Sequence, residues 1–119
     1  MIDHLTMTVA DAKKACAFYT RVLKPLGYRI KMKFENFYGF GDEVKPYFWI
    51  KQGRPVSRPQ HIAFAAKTRK AVDAFYKAAL AEGAKDAGAP GPRPHYHSRY
   101  YGAFVIDPNG HPIEACCHR

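Results

Sequence analysis

His4-Leu5-Thr6-Met7-Thr8-Val9 returns 57 residues later as His61-Ile62-Ala63-Phe64-Ala65-Ala66. Both stretches open on histidine, alternate in polarity as a strand does, and run into a helical pattern. Ala17-Phe18-Tyr19 and Ala74-Phe75-Tyr76 follow their histidines at the same spacing, as do Leu23 and Leu80. The chain therefore reads as two copies of one unit. If the copies pack about a pseudo-two-fold axis, equivalent side chains converge on it, and paired histidines there can share a metal or flank a ligand.

Working outward, Ile2 to Val9 reads as a strand with His4, Thr6 and Thr8 on one side. Asp11 is placed to cap a helix whose stripe Ala12, Ala15, Phe18, Tyr19, Val22, Leu23, Leu26 has the spacing of a buried face. Pro25 and Gly27 end that helix. Tyr28 to Lys33, Phe37 to Phe40 and Pro46 to Lys51 read as strands, with a turn at Gly41-Asp42. Gln52 to Pro59 is a linker. The second copy has a strand over Gln60 to Ala66 and a helix capped by Thr68, with Val72, Phe75, Ala79 and Leu80 facing the core. Ala84 to Pro94 reads as a short edge strand and a long loop. Arg99 to Ile106 is a strand, Asp107-Pro108-Asn109-Gly110 a turn, and Pro112 to Cys117 the last strand. Each copy is thus β-α-β-β-β. The expected fold is a single α+β domain over 1–119. Its two tandem modules, about 1–52 and 60–119 with a linker at 53–59, form an open, U-shaped mixed sheet around a cleft.

Composition narrows the function classes. Hydrophobic residues make up 47% and charged residues 24%, as in ordinary soluble domains. No apolar run is long enough for a membrane span. The first residues lack the basic flank and apolar core of a secretion signal. Three cysteines, Cys16, Cys116 and Cys117, make a disulfide framework unattractive and suit a reducing, cytoplasmic setting. The net charge of +9 favours anions, but the basic residues form no tract and no nucleic-acid motif is present. A small molecule is the expected partner, an anionic one suiting this charge. Arg54, Arg58 and Arg93 are available to it.

The opening Ile2-Asp3-His4-Leu5, the Ala17-Phe18-Tyr19 helix, Gln60-His61-Ile62 and the closing Phe104 to Glu114 segment carry a family resemblance. The chain resembles the vicinal oxygen chelate group, which includes glyoxalase I, extradiol dioxygenases, fosfomycin-resistance proteins and bleomycin-resistance proteins. The resemblance implies that His4, His61 and Glu114 hold a divalent metal such as Zn, Ni, Mn or Fe. Two imidazoles and a carboxylate leave open positions for a bidentate oxygen substrate, and such a metal polarises carbonyls and stabilises oxyanions. A homodimer, with modules often exchanged between chains, is also implied.

One departure matters. Glyoxalase I carries a further carboxylate ligand on the last strand of its first module. Here, aligning Pro46 with Pro112 puts Phe48 opposite Glu114, and a one-residue slip puts Trp49 there. Neither side chain ligates metal. Three functions remain: a lyase or isomerase like lactoylglutathione lyase, acting on an oxygen-rich or thiol-conjugated substrate; a metal-free ligand-sequestering protein of the bleomycin-resistance type; and an extradiol-type dioxygenase, in which His97 or His95 would supply a further histidine. Candidate catalytic groups are Glu114, His97 and Tyr101. Candidate ligand contacts are Phe48, Trp49, Tyr100 and Arg93, with Phe40 as a further wall. His111 and His118 are expected to be exposed.

Overall fold

The computed structural model describes residues 1–119, which divide into two compact units, Met1–Arg58 and Pro59–Arg119. Each is described separately.

In the first unit, β1 (Leu5–Val9) leads to α1 (Ala12–Leu23), then β2 (Arg29–Phe34), β3 (Phe37–Gly41) and β4 (Pro46–Gln52). Helix α1 starts where Asp11 accepts from the Lys14 N–H, satisfying one donor of the free first turn. All seven residues of the apolar stripe from Ala12 to Leu26 are buried. The helix tightens into a single 3-10 turn over Lys24–Leu26. It stops at Gly27, whose φ of 88° is left-handed and costs glycine little. The strands form an open mixed sheet in the order β1-β4-β3-β2, with β1 parallel to β4 and the others antiparallel. Alternation then sorts side chains. Met7, Val9, Phe40, Phe48 and Ile50 are buried, and Phe48 meets Tyr19 of α1 edge-on at 4.9 Å. The opposite face, carrying Thr6, Trp49, Phe37 and Phe34, has no helix.

The second unit repeats the plan with β5 (Ile62–Ala65), α2 (Arg69–Ala81), β6 (Lys85–Pro92), β7 (Tyr101–Ile106) and β8 (Pro112–Cys117), in the sheet order β5-β8-β7-β6. Thr68 caps α2 by accepting from the Ala71 N–H. Val72, Phe75 and Ala79 bury the helix against Ala103, Val105, Ile113, Ala115 and Cys117. The fold is α+β, with two tandem βαβββ modules and open sheets.

Three local expectations are corrected. Leu80 is 37% exposed and lies beside the buried stripe rather than on it. The segment read as a short strand and long loop contains an eight-residue edge strand, β6. Its ladder with β7 is interrupted around Gly88 and Gly91, and an outer edge tolerates the missing N–H of Pro90 and Pro92. His111 is buried, not exposed. Its Nδ1 accepts from the Gln60 N–H, and its backbone is locked to Asp107 in both directions. The Asp107-Pro108-Asn109-Gly110 turn explains this. The Asp107 carboxylate accepts from the Asn109 and His111 amides, and Gly110 takes a φ of 88°. His118 is exposed.

Candidate functional site

The open face of the second sheet holds the densest polar constellation. β8 sends Ile113, Ala115 and Cys117 toward α2, so Glu114 and Cys116 point the other way. Glu114 is nevertheless only 2% exposed. Its Oε1 accepts from His61 Nε2 at 2.8 Å, and its Oε2 accepts from the Tyr100 hydroxyl. His61 stands just before β5, where Ala63 pairs with Glu114, and its side chain is 56% exposed. The His61 ring lies 6.1 Å from Phe104, which pairs with Glu114 across β7. Gly102 makes room for the group. A Cβ there would lie 3.1 Å from the Tyr100 ring and 3.3 Å from Glu114 Oε2.

Tyr100 also anchors an aromatic cluster, with Tyr96 and His118 each 5.1 Å from its ring. His97 reaches this cluster only through His118, at 5.5 Å. It is exposed, and its Nδ1 accepts from the Arg99 N–H. Two sequence candidates are placed elsewhere. Tyr101, one residue on from Tyr100, faces α2 and donates to Asp73 at 2.7 Å, while Arg69 covers its ring. Arg93 is not a free anion contact. Its guanidinium donates to the carbonyls of Ala89, Gly91 and Pro92 and lies over Phe104.

In the first unit His4 precedes β1 as His61 precedes β5. Its Nδ1 pairs with Asp3 at 2.7 Å, and Asp3 is also bound by the Lys45 ammonium. An ionised carboxylate only accepts, so Nδ1 donates the hydrogen of this bond. Lys45, then His4, hold the Asp3 carboxyl below the usual range. Next to this network lies a cavity of about 320 Å³, floored by Phe37, Pro46 and Trp49 and rimmed by Asp3, His4 and Lys45. The ladder decides the place of Trp49. Thr6 pairs with Trp49 as Ala63 pairs with Glu114, and Thr6 and Ala63 each lie two residues after their histidine. Trp49, not Phe48, is therefore the counterpart of Glu114. Phe48 and Phe40 belong to the core.

The donor chemistry suits a metal in part. His61 Nε2 and Glu114 Oε1 meet at hydrogen-bond distance, 2.8 Å, and both are groups that ligate divalent metals. Neither unit by itself gathers three His, Cys, Asp or Glu side chains around one point. Sequence reading missed Asp3 and Lys45. The adjacent Asp3-His4 pair was the available signal.

The profile of the glyoxalase/bleomycin resistance protein/dioxygenase superfamily matches residues 1–115. The chain belongs to that superfamily. Solved members agree. A glyoxalase/bleomycin resistance protein from Albidiferax ferrireducens T118 is 27% identical, with a TM-score of 0.87 and 98% of each chain covered. A protein described as a possible glyoxalase from Bacillus cereus is 26% identical, with a TM-score of 0.67 and 98% of each chain covered. A family enzyme from Burkholderia phytofirmans PsJN, at 21% identity and a TM-score of 0.75 over 98% of each chain, shares the fold. Comparison with curated proteins gives no match. No helix of this superfamily member is long and apolar enough to cross a membrane.

Tyr100 gives the site a pH signature. Burial first, then Cys116 and Glu114, push its phenol well above the ordinary value of 10.0. The folded chain thus keeps a proton that the unfolded chain releases near that value. Tyr100's contribution to stability is complete below about pH 10 and declines as the pH rises beyond it. Tyr100→Phe is expected to flatten the alkaline limb of Tm measured from about pH 8 to pH 11. Equal slopes in variant and parent would refute this role.

Proposed function

We propose that this superfamily member is a divalent-metal-dependent lyase or isomerase acting on a small oxygen-rich or thiol-conjugated substrate. The observation that carries the reading is Glu114, a buried carboxylate on the helix-free face of its sheet, with His61 on one oxygen and Tyr100 on the other. A buried charged group contributes little stability compared with an apolar residue of the same size, so its presence there argues for a task. His61 and Glu114 would hold the metal. His4, in the first unit, offers an imidazole of the same chemistry. Zinc, nickel, manganese and iron all suit such donors. The bound ion supplies Lewis acidity toward a carbonyl or oxyanion.

The chain's own groups do the remainder. Asp3 fixes the His4 tautomer, as an outer carboxylate does for a ligating imidazole. Tyr100 holds Glu114 Oε2 and stays protonated at neutral pH.

Elemental analysis of untagged protein, purified without chelator beside Glu114→Ala, tests the reading. The expected result is about one divalent ion per chain, lost in the variant. Metal-free protein that stays so after dialysis against these ions would sink it. Trp49, standing where glyoxalase I has a carboxylate, favours a second reading: a metal-free protein that sequesters an aromatic ligand. In that case Glu114→Ala would leave ligand affinity unchanged.

A further inference from the structure

Ala63 of β5, Glu114 of β8, Phe104 of β7 and Gly88 of β6 are successive ladder partners across the second sheet. Directly paired residues share a face, so this row lies on the helix-free side. His61, two residues before Ala63, stands at its head. Its side chain is 56% exposed, and water alone leaves an imidazole free to exchange rotamers. The ring has two partners in the row. Its Nε2 donates to Glu114 Oε1, which fixes one atom. The Phe104 ring meets it edge-on at 6.1 Å and 62°, which restricts the plane. Phe104 is held in turn from its β6 flank. A Cβ on Gly88 would stand 3.0 Å from Phe104 Cδ2 and 3.3 Å from Arg93 Nη2. The ring and the guanidinium therefore fill the space that Gly88 leaves. The guanidinium carbon lies 5.3 Å from the Phe104 ring centroid, within cation–π range. The carbonyl oxygens of Ala89, Gly91 and Pro92 accept from it at 2.8 to 3.2 Å, which ties the cation to the backbone.

We propose that Phe104 is the positioning residue for His61, with Arg93 holding Phe104 in place. Support runs from the β6 carbonyls to the guanidinium, then to the phenyl ring, then to the imidazole. Phenylalanine has no ligating atom and a guanidinium only donates, so both residues act on the site through His61. Their effect is to keep Nε2 on the Glu114 side of the ring. The Arg93 N–H also donates to the Tyr100 carbonyl at 2.8 Å. The residue behind Phe104 and the residue that holds Glu114 Oε2 thus face each other at the neck of the 94–99 loop. The inference deepens the metal reading and rests on it for any effect on metal affinity, whereas the placing of the imidazole stands without metal.

Three-bond couplings from His61 Cγ to its own backbone nitrogen and carbonyl carbon report whether χ1 holds one rotamer or averages several. They are measured on isotope-labelled, metal-free protein. The parent and Phe104→Tyr, which keeps the ring, are expected to give the values of a single rotamer. Phe104→Leu and Arg93→Met are expected to give averaged values. Zinc titration of the same proteins is expected to show affinity about tenfold lower in Phe104→Leu and restored in Phe104→Tyr, the effect of a residue that orients a ligand. A single rotamer in Phe104→Leu, or averaging in the parent, would overturn the assignment, and a lowered Tm beside it would mark Phe104 as a packing residue only. A single rotamer in Arg93→Met would remove Arg93 from the assignment. Should Phe104→Leu fail to fold, that same result in Arg93→Met would overturn the whole chain of support. Parental zinc affinity in Phe104→Leu with an averaging ring would overturn the effect on the ligand. A parent that binds no zinc would sink the metal reading and leave the couplings to decide this one.

Discussion

His61→Ala is expected to destabilise the chain by about 1–3 kcal/mol, whereas Glu114→Gln is expected to change stability by less than about 1 kcal/mol. The asymmetry follows from burial. The Glu114 side chain is 3% exposed and the His61 side chain 56%. Removing His61 takes away the donor to Oε1 and leaves a buried carboxylate with Tyr100 alone. Replacing Glu114 by its neutral isostere leaves His61 in water, where it needs no partner, and keeps an oxygen for the Tyr100 hydroxyl. If His61 and Glu114 hold the proposed metal, both variants are expected to lose it, by at least about a hundredfold in affinity, because each would remove a ligand. Tm and metal titration on the same two proteins check this. Stability that falls equally in both would mean that the pair is structural, and retained metal in either would remove that residue from the ligand set.

Gly41→Ala is expected to cost about 3 kcal/mol or more, a fall in Tm of roughly 10 °C. A Cβ at Gly41 would stand 1.9 Å from the Lys45 carbonyl oxygen and 2.7 Å from both the Lys45 carbonyl carbon and Pro46 Cα. These are backbone atoms, and no rotamer relieves them. The turn between β3 and β4 must move as a body, and the Lys45 backbone moves with it. Gly53→Ala is the control. Its Cβ would meet only the Thr8 methyl at 3.4 Å, so it is expected to shift stability by less than about 1 kcal/mol. Similar Tm values for the two variants would show that the turn yields freely. If it does, the His4 ring nitrogens, followed by ¹⁵N shifts, would report whether the Asp3–His4 pair survives.

Much of this was legible in the residues. The histidine offset located both units, and Asp11, Thr68 and the Asp-Pro-Asn-Gly turn marked their helix starts and last strand. Glu114 was readable because a carboxylate between Ile113 and Ala115 in a strand demands a partner. What escaped reading was parity. Tyr100 and Tyr101 are adjacent, and period-two geometry sends only one of them to the Glu114 face. The choice between Phe48 and Trp49 was of the same kind. The ladder slips between Phe40 and Gly41, so aligning prolines miscounts by one residue. His111 was misread because a polar residue after a turn is ordinarily exposed, and only the folded Gln60 amide shows why it is inside. The placement of Arg93 was not legible, because it depends on three carbonyls of a strand whose glycines and prolines resemble a loop.

The shared register of Trp49 and Glu114 bears on how such a chain can change. A ladder position dictates where a side chain points and leaves its chemistry open. Two equivalent positions in one polypeptide are therefore separately adjustable. One has been set to an acid and the other to a flat hydrocarbon surface, on frames that need no alteration. The exchange Trp49→Glu would touch neither core, since both positions lie on helix-free faces. Within this architecture, the two sheets can carry different side chains at equivalent positions without any change of fold.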